Sequence, residues 1–252
     1  MSNPSSLGKV TYRGVNYKYT SWGFRGWACL KMAGIQFDDK ILLEETPNFK
    51  EKAAGLSPTL LFPVLCIDSP KLGKILLVHD SLSIAEFSAE YASNSNSNVK
   101  LWPEFWADRA IARSAVAEMH SGFQNIRNAY SCNFITKFEF KPSVFDSKIK
   151  QEINRLFELW KSCRNQFEET RNSSELGPHV QNVEDSGYLF GEFGIVDAFF
   201  VPMASRLVQY SIPINNEFAS NYISLLLNSP LFKEFYEIAK EENSYFEPYE
   251  FH

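Results

Sequence analysis

Four short stretches of this chain bring together residue types able to do chemistry, and each lies where one regular element gives way to another. Thr20-Ser21-Trp22-Gly23-Phe24-Arg25 stands between a strand-like run and a helical one. A hydroxyl there can cap the helix by accepting an orphan backbone N–H, worth about 1 kcal/mol. With the helix N-terminus it can also form an anion site. Leu61-Phe62-Pro63-Val64-Leu65 places a proline at the head of an apolar strand. Proline cannot donate to a ladder, so a first or edge position is its structural explanation; a cis Phe62-Pro63 bond would instead turn the Phe62 backbone towards a ligand. His79-Asp80-Ser81 precedes a third helix. Asp80 and Ser81 are both good caps, and the same pair can accept an ammonium on the carboxylate and grip a carboxylate with hydroxyl and helix N–H groups. Gly194-Ile195-Val196-Asp197 opens a late helix, where Asp197 serves folding by favouring the macrodipole and reaching back to unpaired N–H groups.

Other chemistries find little support. No G-x-S-x-G, P-loop or G-x-G-x-x-G pattern occurs, which removes the usual signatures of hydrolases, nucleotide binders and dinucleotide enzymes. Cys29, Cys66, Cys132 and Cys163 form no C-x-x-C pair and have no His-rich neighbour, so neither a disulfide scaffold nor a metal site is expected. Glu118 and His120 lie near Arg113 and Arg127 at spacings that put no catalytic or metal-binding set on one face. His120 reads as a packing residue, and Trp106, Trp160 and Phe199 read as core.

With 25 Lys and Arg against 30 Asp and Glu, the formal charge of -5 offers no reason to bind phosphate backbones, and a nucleic-acid partner is not expected. The longest apolar stretches, such as Ile75 to Val78 and Ala198 to Ala204, are too short for a bilayer. The opening MSNPSSLGKVTYRG lacks the apolar core of a signal peptide. The expectation is a cytoplasmic protein of a reducing compartment, with no membrane partner.

These stretches must be positioned by the elements around them. The chain has 252 residues, 44% of them hydrophobic, enough for a substantial core. Up to residue 92 strand-like and helix-like pieces alternate: a strand at Val15 to Thr20, a helix at Ser21 to Gly34, a strand at Phe37 to Leu43 and a short helix at Phe49 to Leu56. A hairpin of Phe62 to Ile67 with Lys74 to His79 follows, then a helix at Ser81 to Tyr91. The order β-α-β-α-β-β-α predicts a mixed sheet carrying helices. Ala92 to Val99, ASNSNSNV, reads as a polar linker.

Beyond it strand signals nearly vanish. Phe105, Ala112, Val116, Met119, Phe123 and Ile126 predict one long helix over Pro103 to Arg127. A second spans Val144 to Glu169, a polar loop Thr170 to Ser186, and three helices Ile195 to Tyr210, Glu217 to Leu227 and Pro230 to Glu241. The expected domains are therefore 1–92, a linker at 93–102, and an all-helical 103–252.

The order of these features resembles a cytosolic glutathione transferase over nearly the whole chain. TSWGFRGWACLKMAGI is similar to the S-S-W-S-x-R-x-W-x-A-L-K-x-A-G-I segment of a serine-type, mostly bacterial and fungal branch. LWPEFWADRAIARSAVAEMHSGFQNIR is similar to that branch's L-W-P…R-A-x-A-R…E-M-H-S-G-F-x-x-L-R helix. The resemblance implies an α/β thioredoxin-like domain that holds glutathione and an all-α domain forming most of the second substrate's pocket. It implies a homodimer, with glutathione as co-substrate and no metal. Carried over by position, Asp80 and Ser81 bind the γ-glutamyl end, and Phe62, before a cis Pro63, pairs its backbone with the cysteinyl portion. The thiol points at Thr20 and Ser21.

The chain departs from that pattern at three places. Counting back from Arg25, the activating serine's slot holds Thr20, with Ser21 beside it, and both hydroxyls are kept as candidates with a lean to Thr20. No cysteine fills the slot, which disfavours a mixed disulfide on the protein and favours activation of glutathione's own thiol. Leu60-Leu61 replaces the Gly-containing turn before the cis proline, and Gly194 replaces a Ser or Thr cap. The implied activity is thiolate attack on a small hydrophobic electrophile. Isomerisation of the maleylacetoacetate type, ether cleavage and peroxide reduction stay open, as does a non-catalytic binding or regulatory protein on the same fold.

Overall fold

The computed structural model describes residues 7–95 and 99–250, which divide into two compact units. One runs as far as Leu101 and takes in Asn133–Ile135 and the chain from Glu234 onward; the other holds Trp102–Cys132 and Thr136–Lys233.

Among the described residues, the first unit is built on a four-stranded sheet of order β2-β1-β3-β4. Strand β1 is Lys9–Val15, β2 is Asp38–Leu42, β3 is Val64–Ser69 and β4 is Lys74–Val78. β1 runs parallel to β2 and antiparallel to β3, and β3 is antiparallel to β4. The parallel pair needs a crossover, supplied by α1 (Ser21–Met32); α2 (Phe49–Ala54) joins β2 to β3, and α3 (Ser81–Asn94) follows β4 and packs on α1. Here the β-α-β-α-β-β-α order holds, and the layout is the thioredoxin-like one.

β1 lies six residues earlier than Val15 to Thr20 suggests. Buried Val10 and Tyr12 alternate with more exposed neighbours along Lys9–Val15, which is strand periodicity. The β-prone residues that follow do not extend the sheet. Asn16 adopts a left-handed φ of 37°, and Tyr17 and Tyr19 are buried in aromatic contacts with Phe235 and Tyr249. Their bulk is satisfied by packing, which β-propensity cannot distinguish from a strand. α3 likewise runs on through Asn94 with Ala92 buried, so the first part of the expected linker is helix, while residues 96–98 lie outside the described residues.

The second unit is helical. The expected helix over Pro103 to Arg127 is two, α4 (Trp106–Ser121) and α5 (Gln124–Ala129). Gly122 is extended and Phe123 has a φ of 59°, which breaks the ladder. The apolar spacing survives the break because Phe123 and Ile126 are both buried on the far side of it. Trp106 corrects a second expectation: it is 69% exposed at the first position of α4, ahead of the buried stripe, while Trp160 and Phe199 are fully buried.

α6 (Ser147–Asn172) is capped by the Asp146 carboxylate accepting from the Ile149 amide at 2.9 Å, and it continues three residues into the expected loop. That loop contains a one-turn helix α7 (Pro178–Gln181). Arg164 grips Asp185 in it through two bonds of 2.7 and 2.8 Å. α8 (Ile195–Gln209), α9 (Glu217–Asn228) and α10 (Pro230–Glu241) follow as expected. Among the described residues no helix is long and apolar enough to cross a membrane.

Candidate functional site

The strand register decides where the chemistry-bearing stretches lie. Arg13, near the end of β1, is opposite Val64 at the start of β3, and Leu65 is opposite Val78 at the end of β4. The chain therefore leaves β1, enters β3 and leaves β4 at one end of the sheet. Thr20-Ser21, Phe62-Pro63 and Asp80-Ser81 follow or precede those strand ends by six residues or fewer, and the structure brings the three stretches to that common end. Two helix N-termini, of α1 and α3, open there as well. There α1 lies close against the chain entering β3: a Cβ added at Gly26 would lie 3.0 Å from the Pro63 ring and 3.6 Å from Ile84 of α3.

Thr20 is the N-cap of α1. Its backbone is extended and its Oγ1 accepts from the Gly23 amide at 3.1 Å. A hydroxyl that accepts still has its own proton to donate, so capping and donation to a ligand are compatible. Ser21 is the first helical residue, and both side chains are buried. Arg25, one turn on, is fully buried with its guanidinium 4.6 Å from the Trp22 ring centroid.

The Phe62-Pro63 peptide is cis. The Phe62 amide and carbonyl make no hydrogen bond among the described residues, while its ring packs on Leu42, Ala53 and Leu56. Before it, Leu60 has a φ of 63°, so a leucine stands in the left-handed region that glycine favours. At the head of α3, Asp80 Oδ1 accepts from the Leu82 amide at 2.8 Å and the Ser83 amide at 3.4 Å, as a cap should. Ser81 is fully buried, and its Oγ has no hydrogen-bond partner among the described residues.

All four cysteines are buried, and the Cys66 sulfur accepts from the Arg13 guanidinium at 3.2 Å; burial pushes the Cys29 thiol far up and the Cys163 thiol to about 12, so neither of those two supplies a thiolate at neutral pH. Asp197 caps α8, its carboxylate accepting from the Gly194 amide at 2.9 Å and the Tyr222 hydroxyl at 2.7 Å. Glu118 is taken by Arg155 in two bonds of 2.7 Å, and His120 is half-buried. The helical unit holds a cavity of about 540 Å³ lined by Phe105, Trp106, Asp108, Phe167 and Phe190, remote in sequence from all three stretches.

Sequence reasoning missed two contributors. The Tyr12 hydroxyl donates to the Gly23 carbonyl at 2.9 Å, holding the first turn of α1 against β1. The loop Asn16–Tyr19 is held by Glu242 and Glu250, more than 220 residues away. The displaced strand assignment hid the first, and no local pattern signals the second.

No protein-family profile and no curated sequence matches the chain. Solved structures do match. A glutathione transferase homolog from Burkholderia gl BGR1, with bound glutathione, aligns over 93% of this chain and 100% of its own at 16% identity and a TM-score of 0.57. Glutathione transferase F2 from Populus trichocarpa aligns over 92% and 100% at 16% identity and 0.59. The nitrogen regulation fragment of the yeast prion protein Ure2p aligns over 92% and 97% at 16% identity and 0.62. The chain has the glutathione transferase fold. Within that fold the α/β unit is the thioredoxin-like part and the other is the helical part.

Proposed function

We propose that the chain binds glutathione at the common end of the sheet and activates its thiol for attack on a small hydrophobic electrophile. What carries this reading is the convergence there of the α1 hydroxyls, the unpaired Phe62 backbone groups beside cis Pro63, and the buried, unpartnered Ser81 hydroxyl at the head of α3. A buried hydroxyl without a partner costs about 1–3 kcal/mol, a cost that a ligand carboxylate would remove. The solved neighbours with bound glutathione support the same ligand.

The chemistry then needs no covalent intermediate on the protein. The bound thiol gives its proton to solvent, and the Thr20 or Ser21 hydroxyl donates to the resulting thiolate. A hydrogen bond to a charged acceptor contributes about 1.5–3 kcal/mol, and the N-terminus of α1 about 0.3–2 kcal/mol. At about 1.36 kcal/mol per pKa unit this lowers the thiol by roughly one to three units. The sulfur lone pair forms the new C–S bond; a leaving group departs, or the adjoining carbon takes a proton. The protein acts in the cytoplasm, as a homodimer.

A second reading keeps the binding and drops the turnover. It is favoured by the likeness to a nitrogen regulation fragment. An ultraviolet difference titration of bound glutathione, on wild type, Thr20→Ala and Ser21→Ala, separates the two. Activation requires a thiolate band well below the free thiol's titration, lost in one variant. Saturable binding with an unshifted titration would leave only the binding protein.

A further inference from the structure

Between β1 and α1 the chain must turn without regular backbone pairing, yet it ends at the junction where the hydroxyls stand. The amides of Tyr17 and Lys18 both point at the Glu242 carboxylate, at 2.6 and 3.3 Å. The same carboxylate accepts from Asn16 Nδ2 at 3.2 Å and from the Ser244 hydroxyl at 2.8 Å. Two consecutive backbone donors and two side-chain donors thus converge on one anion, and charge-assisted bonds of this kind are about twice as strong as neutral ones.

Farther along, Glu250 takes the Lys18 ammonium and the Tyr19 hydroxyl. That hydroxyl also accepts from the Phe246 amide at 3.2 Å, and the Tyr249 ring packs edge-on against the Tyr19 ring. Asn133 Nδ2 fastens the outer side by donating to the Tyr249 carbonyl at 3.0 Å, while the Phe134 amide donates to the Lys18 carbonyl at 3.0 Å. Thr20 follows Tyr19 directly. Every one of these groups belongs to the first compact unit.

We propose that residues 242–250 form a strap that sets where the Thr20 and Ser21 hydroxyls stand, with Glu242 and Glu250 as positioning residues. Through the two carboxylates the strap fixes the backbone leading into the N-cap of α1, and a shift of that backbone displaces the donor that faces the sulfur. The proposal rests on the thiol-activation reading of the Thr20–Ser21 junction only for its effect on glutathione; the hold on the loop stands apart from it.

The test uses the full chain with Glu242→Gln, which keeps shape and removes charge, and Glu242→Asp, which restores the charge. Amide exchange by NMR reads the loop directly, and the ultraviolet thiolate band of bound glutathione at neutral pH reads the site. In Glu242→Gln the Tyr17, Lys18 and Gly23 amides are expected to exchange about tenfold faster. The bound thiolate fraction should fall severalfold while glutathione affinity changes less than about twofold, with the Asp variant recovering both signals. Should Glu242→Gln melt far below wild type, Tyr19→Phe, which keeps the ring contact with Tyr249, carries the same two readouts.

Unchanged exchange at Tyr17 and Lys18 would overturn the strap. Faster exchange with an unaltered thiolate band would overturn its positioning role. A loop that loosens in a protein whose wild type shows no thiolate band at all would support the strap and sink the thiol-activation reading instead.

Discussion

The Tyr12 hydroxyl donates to the Gly23 carbonyl across 2.9 Å, joining the middle of β1 to the first turn of the helix that presents Thr20 and Ser21. Gly23 answers a steric demand at the same point. A Cβ there would meet Thr20 Cγ2 at 2.6 Å, Thr20 Oγ1 at 2.7 Å and the Tyr12 hydroxyl at 2.9 Å. Tyr12→Phe leaves that buried carbonyl without its side-chain donor and should cost about 1–3 kcal/mol. Gly23→Ala should destabilise as well, by forcing the Thr20 hydroxyl from its capping position. Chemical denaturation of both variants checks this; a Gly23→Ala protein as stable as wild type would mean that the helix start is not held here.

Leu60 tests the turn before the cis proline. A non-glycine residue in the left-handed region costs roughly 1–2 kcal/mol, and the Leu60 side chain is 47% exposed, so little burial offsets it. Leu60→Gly removes the strain but raises unfolded-state entropy, by about 0.4–1 kcal/mol. The expected outcome is a protein more stable by up to about 1 kcal/mol, seen as a raised melting temperature. A lowered one would show that the leucine is held by its surroundings.

Phe235 tests how much of the first unit depends on α10. Its ring is fully buried and stands 5.0–5.5 Å from the rings of Tyr17, Phe24, Trp27 and Phe134. Phe235→Ala should cost about 3–5 kcal/mol. The loss should fall on the α/β unit, measured as a lowered unfolding midpoint with faster amide exchange in β1 and α1.

Asp197 gives stability a pH slope. Burial pushes its carboxyl up to about 6, against the opposing hydrogen bonds from Gly194, Leu189 and Tyr222, whereas an unfolded chain titrates near 3.9. The folded state binds the proton more tightly, so this group's contribution is complete below about pH 4 and is lost as pH rises through about 6. The change is on the order of 2–3 kcal/mol. Denaturation of wild type and Asp197→Asn at pH 4, 5, 6 and 7 should show their stability difference drifting across that window; a constant difference would refute it.

How much of this was legible depends on the range of the interactions. The helices α1, α3, α8, α9 and α10 follow local capping and periodicity, and the three site stretches fall at element ends that the sequence marks with Thr20, Pro63 and Asp80. β1 was misplaced because Tyr17 and Tyr19 have strand-like side chains whose actual neighbours, Phe235 and Tyr249, are more than 200 positions away. The break at Gly122 was invisible because the residues on both sides of it face one core. Glu242 looked like one more surface acid, since nothing in its local sequence distinguishes a carboxylate that gathers four donors.

The make-up of the first unit bears on how the protein is born. Its sheet and first three helices are complete in the nascent chain by residue 94, but Phe235, Glu242 and Glu250 are translated only after the helical unit has been made. Domains generally fold in the order in which they leave the ribosome. Here the α/β unit waits for residues made after the helical one, so α1 and the loop before it leave the ribosome with their aromatic partner and both carboxylate anchors still unmade.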